Sequence, residues 1–249
     1  MIGLKLPARK RARDEAEKPF WISFADLMTA LMVLFLVAVT VALFAVIEEP
    51  EPPNPDEQVK QKAQRELDIQ TILNEIADIA KEYPGITVSG HSIDFGSRAN
   101  FEKNKSELSV EKSAILRAFI SQILSKVRDP LGDKWIKRFV VEGFASQSGT
   151  YIHNLNLSLQ RSERLICVLL ASSKSAPDSL SDADRMLVRE LFLVGGSSFN
   201  ALKEGDIESQ RIELKLEFLE FEPGSTEPEK RPIPRDVPLD EDQSCPVDL

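Results

Sequence analysis

The feature that most constrains this chain is an apolar run, PFWISFADLMTALMVLFLVAVTVALFAVI, which holds a single ionisable group, Asp26. From Phe20 to Ile47 it spans 28 residues. As an α-helix these reach about 42 Å, and about 20 apolar residues suffice to cross a bilayer. A secretory signal has an apolar region of only about 7–15 residues and ends at a small-x-small cleavage site. This run is longer and ends in Val46-Ile47-Glu48-Glu49-Pro50. The expectation is a retained transmembrane helix over residues 19–47. Lys5, Arg9, Lys10, Arg11, Arg13 and Lys18 precede it, against Asp14, Glu15 and Glu17. An acidic segment follows. An excess of Lys and Arg marks the cytoplasmic side, so residues 1–18 read as a cytoplasmic basic arm. The chain is then a single-pass inner-membrane protein whose remainder lies in the periplasm of a two-membrane bacterium.

A carboxylate inside a bilayer costs about 2.5–3.5 kcal/mol on insertion scales. It must face a partner helix or water, carry a proton, or snorkel to the nearby membrane edge. Ser23, Asp26, Thr29 and Ala30 recur at helical spacing and share one face. Small and hydroxyl residues there permit close helix approach and hydrogen bonds to the carboxylate. A buried carboxyl that takes up and releases a proton is the chemistry of an ion carrier.

Beyond the span, residues 48–57 hold four prolines and five acids and read as an extended linker. The linker or plug region is assigned to 48–65. Ile69, Ile72, Leu73, Ile76 and Ile79 fall at helical spacing within 58–83, in a helix that packs on a core or contacts a second copy. A strand is expected over 86–95, a helix over 109–127, a strand over 136–145, helices over 155–172 and 182–191, and an alternating strand over 210–218. Strands alternating with helices make residues 66–221 an α/β domain. Residues 222–249 carry six prolines and eight acids against three bases, and read as a disordered or loosely docked tail.

The net charge of −9 argues against nucleic-acid binding, which needs an excess of Lys and Arg. No metal site is expected, because the two cysteines, Cys167 and Cys245, have no Cys/His cluster around them. In an oxidising compartment they either pair or stay as two free thiols. His91 and His153 have no Ser, Cys or ligand partner at a defensible spacing, and no nucleophile elbow or phosphate-cradling loop occurs, so no enzymatic activity and no cofactor are expected.

The run FADLMTALMVLFLV resembles the transmembrane helix of MotB-like stator B subunits, with Ala25, Asp26, Met28, Thr29 and Ala30 in place. That resemblance implies that Asp26 takes the coupling ion, a proton in preference to sodium, with Ser23 and Thr29 as candidates to line its path. It also implies a homodimer of this chain at the centre of five polytopic A subunits. Residues 86–221 resemble the OmpA-like peptidoglycan-binding domain, of βαβαβ type. Gly149, Asn154, Leu157, Ser158 and Arg161 match its signature, and Arg211 and Glu213 its closing strand. The resemblance implies peptidoglycan contacts at Tyr151, Asn154, Leu157 and Arg161. In that family an Asp and an Arg grip diaminopimelate. The Arg is matched by Arg161, but the Asp position is Ser146, which cannot pair with an ammonium. Glu142 or Glu163 could stand in, or the wall is held by other contacts. The short arm, Ser146 and the acidic tail are most similar to Zorya-type B subunits of anti-phage defence. A flagellar stator, or a wall-anchored tether without ion flow, are the alternatives.

Overall fold

The computed structural model describes residues 14–47, 55–198, 200, 209–222, 225, 227–231 and 245. The chain divides into two compact units between Pro52 and Pro53. The first contains one helix, α1 (Asp14–Ile47). It includes the last residues of the expected basic arm. Residues 1–13 and 48–54, which hold the rest of the arm and the start of the linker, lie outside the described residues. Within α1, Phe24–Phe44 is long and apolar enough to cross a membrane, and none of it is buried in the unit.

The second unit opens with α2 (Pro55–Lys81). Helix therefore begins inside the stretch assigned to the linker. Proline is tolerated in a first helical turn, where its missing N–H would lack a partner anyway, and Asp56 and Glu57 complement the helix dipole. Then come strands β1 (Thr87–Ser89) and β2 (Ser92–Asp94), a 3-10 turn (Gly96–Ala99), and helices α3 (Val110–Arg128) and α4 (Pro130–Trp135). Strand β3 (Ile136–Gly143), helices α5 (Tyr151–Leu170) and α6 (Asp182–Leu191), and strands β4 (Phe192–Gly196) and β5 (Ile212–Phe218) complete the order. Ser109, Thr150 and Ser181 cap α3, α5 and α6, each hydroxyl accepting a backbone N–H from the first turn.

The five strands form one sheet in the order β1-β2-β5-β3-β4. Only β3 and β4 are parallel, joined through α5 and α6; the other neighbours are antiparallel. The fold class is the expected one, a membrane-length helix followed by an α/β domain. Details differ. The strand foreseen over 86–95 is a hairpin, turned by Gly90 at φ +55° beside His91. A positive φ at the first of two loop residues suits a tight hairpin and favours glycine. The helix foreseen over 155–172 starts at Tyr151, where Thr150 caps it. Helix α4 and strand β4 carry no clear periodicity in the sequence.

One face of the sheet is dry. Phe139, Val141, Ile212, Leu214, Leu216 and Ile93 are buried against the helices. The alternate residues of β3 and β5 face water and pair across the strands, Arg138 with Glu217 at 2.5 Å and Lys215 with Glu142. Helices α2 and α3 supply Ile69, Ile72, Ile76, Leu116, Phe119, Ile120, Ile123 and Leu124 to the same core. Phe119 meets the edges of both Phe95 and Tyr83, with ring centroids 5.9 and 5.3 Å away. The buried Trp135 donates its indole N–H to Asp68 on α2 at 2.8 Å.

The described part of the tail is docked. Backbone N–H groups of Glu222 and Glu229 donate to Glu227 and Glu220. Arg231 donates to the carbonyls of Ile136, Gly132 and Asp133. Cys245 is joined to Cys167 on α5 by a disulfide. Three carbonyls met by one guanidinium hold this part of the tail although it has no apolar face to bury, which is why composition suggested looseness.

Phe119→Ala is expected to lower stability by about 3–5 kcal/mol, through lost burial and a residual cavity among the three rings. Urea unfolding of the full chain in detergent, followed by tryptophan fluorescence, measures this.

Candidate functional site

In α1 the geometry is that of one continuous helix. Asp26 is exposed, as are all its neighbours from Phe24 to Phe44. Thr29 donates its hydroxyl proton to the Ala25 carbonyl at 2.5 Å. This hydroxyl then offers only lone pairs outward, next to the carboxyl one turn away. The backbone of Ser23 is in α1, but its side chain lies outside the described residues.

In the α/β unit the candidate wall site lies where β3 runs into α5. Gly143 ends β3 with no room for a side chain, since a Cβ would sit 2.0 Å from the Ser158 carbonyl. That close approach lets α5 lie directly on the strand. The loop Phe144–Thr150 then turns outward, with Gly149 at φ +108°. Asn154 Nδ2 donates to the Ser148 carbonyl at 3.1 Å, and the Ser146 and Ser148 hydroxyls are 3.1 Å apart. Ser198 closes the back of the loop. Its N–H donates to Ser158 Oγ, its hydroxyl donates to the Tyr151 carbonyl, and its carbonyl accepts from Ala145 N–H.

The four residues implied in wall contact divide sharply. Tyr151 is 45% exposed at the loop rim. Asn154 and Leu157 are buried, and Arg161 is fully buried at 0% exposure. The Arg161 guanidinium donates from Nε to the Lys105 carbonyl (3.0 Å) and from Nη1 to the Phe144 carbonyl (2.8 Å). Its Nη2 donates to the Glu102 carbonyl (3.2 Å) and to Gln210 Oε1 (3.0 Å). Phe101 lies under it, with the ring centroid 5.0 Å away. Burial lowers its pKa to about 10, so it is cationic at neutral pH. A ligand carboxylate could reach this fork only by displacing some of these carbonyls.

Neither substitute acid is among the hydrogen-bond partners of the Arg161 guanidinium. Burial raises the pKa of Glu142, but Lys215, Ser197 and Arg211 outweigh it and hold the carboxyl below its ordinary range. Glu142 pairs with Lys215 on the water-facing side of the sheet and accepts from Ser197. Glu163 is half-buried on α5. The acceptors around Arg161 are mostly backbone carbonyls, which no residue pattern announces. Ser198, in the left-handed region at φ +51°, likewise carries no sequence signal beyond its Gly-Gly-Ser-Ser setting. Among the described residues no cluster of His, Cys, Asp or Glu could hold a metal ion.

The chain thus places an aspartate on a hydroxyl-bearing face of one membrane-length helix and continues into an α/β domain. A family model described as membrane MotB of the proton-channel complex MotA/MotB matches residues 8–44. The chain is 38% identical over 221 residues to the Zorya protein ZorB of Escherichia coli O139:H28 (strain E24377A / ETEC), covering 88% of each. This chain belongs to the ZorB family. Among solved structures, the OmpA-like domain of FopA1 from Francisella tularensis subsp. tularensis SCHU S4 is similar at 19% identity, over 54% of this chain and 82% of that one, with a TM-score of 0.35. The periplasmic domain of Helicobacter pylori MotB is similar at 12% identity, over 53% and 80%, with a TM-score of 0.37.

Arg161→Ala is expected to destabilise the chain by about 3–5 kcal/mol, because it strands buried carbonyls and leaves a void beside Phe101. Thermal or urea unfolding against wild type measures the loss.

Proposed function

We propose that this chain is the B subunit of a Zorya-type, ion-driven membrane motor that acts in anti-phage defence. The observation that carries the reading is Asp26, a lone carboxylate in a membrane-length helix, in a chain that aligns with ZorB across 88% of its length. A tether has no use for that carboxylate, whose insertion is costly. Asp26 is the ion carrier, alternately protonated and deprotonated, with Thr29 beside it and Ser23 one turn earlier. The ion is a proton. The partner is a polytopic A subunit, five copies of which surround a dimer of this chain.

The α/β domain grips peptidoglycan on the periplasmic side. Tyr151 at the loop rim offers an aromatic surface, and Asn154, Leu157 and Arg161 hold the loop and helix that present it. The disulfide between Cys167 and Cys245 supports a periplasmic location, because such bonds persist in oxidising compartments.

The first test is phage plaquing on cells that carry the native gene cluster, wild type against Asp26→Asn. Asn keeps the shape but cannot titrate. Protection is expected to disappear while protein level and association with the A subunit persist. Unchanged protection by the variant would remove Asp26 as the coupling site; a wild type that never protects would turn attention to motility. A second test reads orientation. In extracts of intact cells quenched with acid, a maleimide reagent is expected to add to both Cys167 and Cys245 only after reduction. Two thiols that label without reduction would place the domain in the cytoplasm.

A further inference from the structure

Helix α1 has a second hydroxyl within the membrane-length stretch, Thr40. It donates its proton to the carbonyls of Leu36 (2.9 Å) and Val37 (2.8 Å). Its donor is therefore spent on its own helix, and its oxygen presents lone pairs outward, as at Thr29. At about 100° per residue, Thr40 lies within about 40° of Asp26 around the helix and about 21 Å further along it.

The rest of that sector is distinct from its surroundings. Between residues 24 and 44, the sector within about 60° of Asp26 holds Thr29, Ala30, Val33, Val37, Thr40, Val41 and, at the far end, Phe44. Every other Leu, Met and Phe of that stretch falls outside it. A threonine merely tolerated in lipid needs no alignment with the carboxylate, since its hydroxyl is satisfied by its own backbone at any rotational position. Between Asp26 and Thr40 the bulky chains are segregated from the one face that carries all three oxygen-bearing side chains, and Phe44 lies one turn beyond it.

We propose that Thr40 is a second polar station on the ion path, a positioning residue that precedes Asp26 from the far end of the span. Its hydroxyl oxygen accepts a hydrogen bond from the hydrated proton, or from the water that carries it, on a face lined between Thr40 and Asp26 by small and β-branched side chains. The inference rests on the reading of Asp26 as ion carrier.

The test uses plaquing on cells carrying the native gene cluster, with A-subunit co-purification as the check on assembly. Thr40→Val keeps the shape and removes the oxygen; it is expected to weaken protection roughly tenfold, the scale of one lost hydrogen bond in a rate. Thr40→Ser is expected to stay close to wild type. Two swaps then separate placement from composition. Thr40→Val with Val37→Thr returns the hydroxyl to the same face and restores protection. Thr40→Val with Val39→Thr turns it about 100° away and does not. Wild-type protection by Thr40→Val, or equal behaviour of the two swaps, overturns the proposal. Full protection by Asp26→Asn overturns the ion-carrier reading itself, and is distinct from either result.

Discussion

Taking a guanidinium wholly out of water costs several kcal/mol unless its donors are met. Arg161 shows how the α/β unit is organised around meeting that cost. Its four hydrogen bonds reach residues 102 and 105 ahead of α3, Phe144 at the end of β3 and Gln210 ahead of β5. Phe144 and Gln210 flank the paired strands β3 and β5, and Phe101 N–H donates to the Gln210 carbonyl. The Arg161 side chain adds the carbonyls of residues 102 and 105 to that frame and ties α5 to all of them. The loop that carries Tyr151 is placed by the same frame, because Phe144 opens it.

This changes the way the OmpA-like pattern translates into a wall contact. A free arginine fork beside an aspartate would clamp a zwitterionic stem. Here the aspartate position holds Ser146, and the arginine is committed to its own chain. The two departures are mutually consistent. Without an acid at the loop to orient a ligand's ammonium, a free guanidinium would grip only half of such a ligand. What remains outward is Tyr151 with the Thr150 hydroxyl beside it, while Asn154 and Ser146 are buried behind them.

The sequence was most informative where one physical signal dominates. The apolar run is long enough that only a membrane-length helix satisfies it. Helix α3 and strand β5 follow from spacing that places Phe119 and Ile123, or Leu214 and Leu216, on one side. It was least informative where backbone geometry decides. The hairpin at Gly90 looks like one strand with a glycine in it, because both halves are only three residues long. Strand β4 is a short edge whose Leu193 and Val194 stay exposed, so it lacks alternation. The buried state of Arg161 depends on carbonyls, and every residue type has one. Tail docking through Arg231 is hidden for the same reason.

The two units meet their polar groups in one way, with opposite results for what faces outward. In α5 the donors of Arg161 are consumed by carbonyls, and its guanidinium is not left to present. In α1 the hydroxyl protons of Thr29 and Thr40 are consumed by helix carbonyls, and oxygen lone pairs are left to present. A helix in lipid has no water with which to share its hydroxyls, so this outcome is forced by the medium. A face made in this way accepts hydrogen bonds and donates none. Under the ion path proposed above, it suits a species that arrives as a donor, such as a hydrated proton, with Asp26 as the group that takes the charge. The position of a single carboxylate among acceptors thus follows from the sequence of α1, and the same economy of donors closes the arginine of the domain.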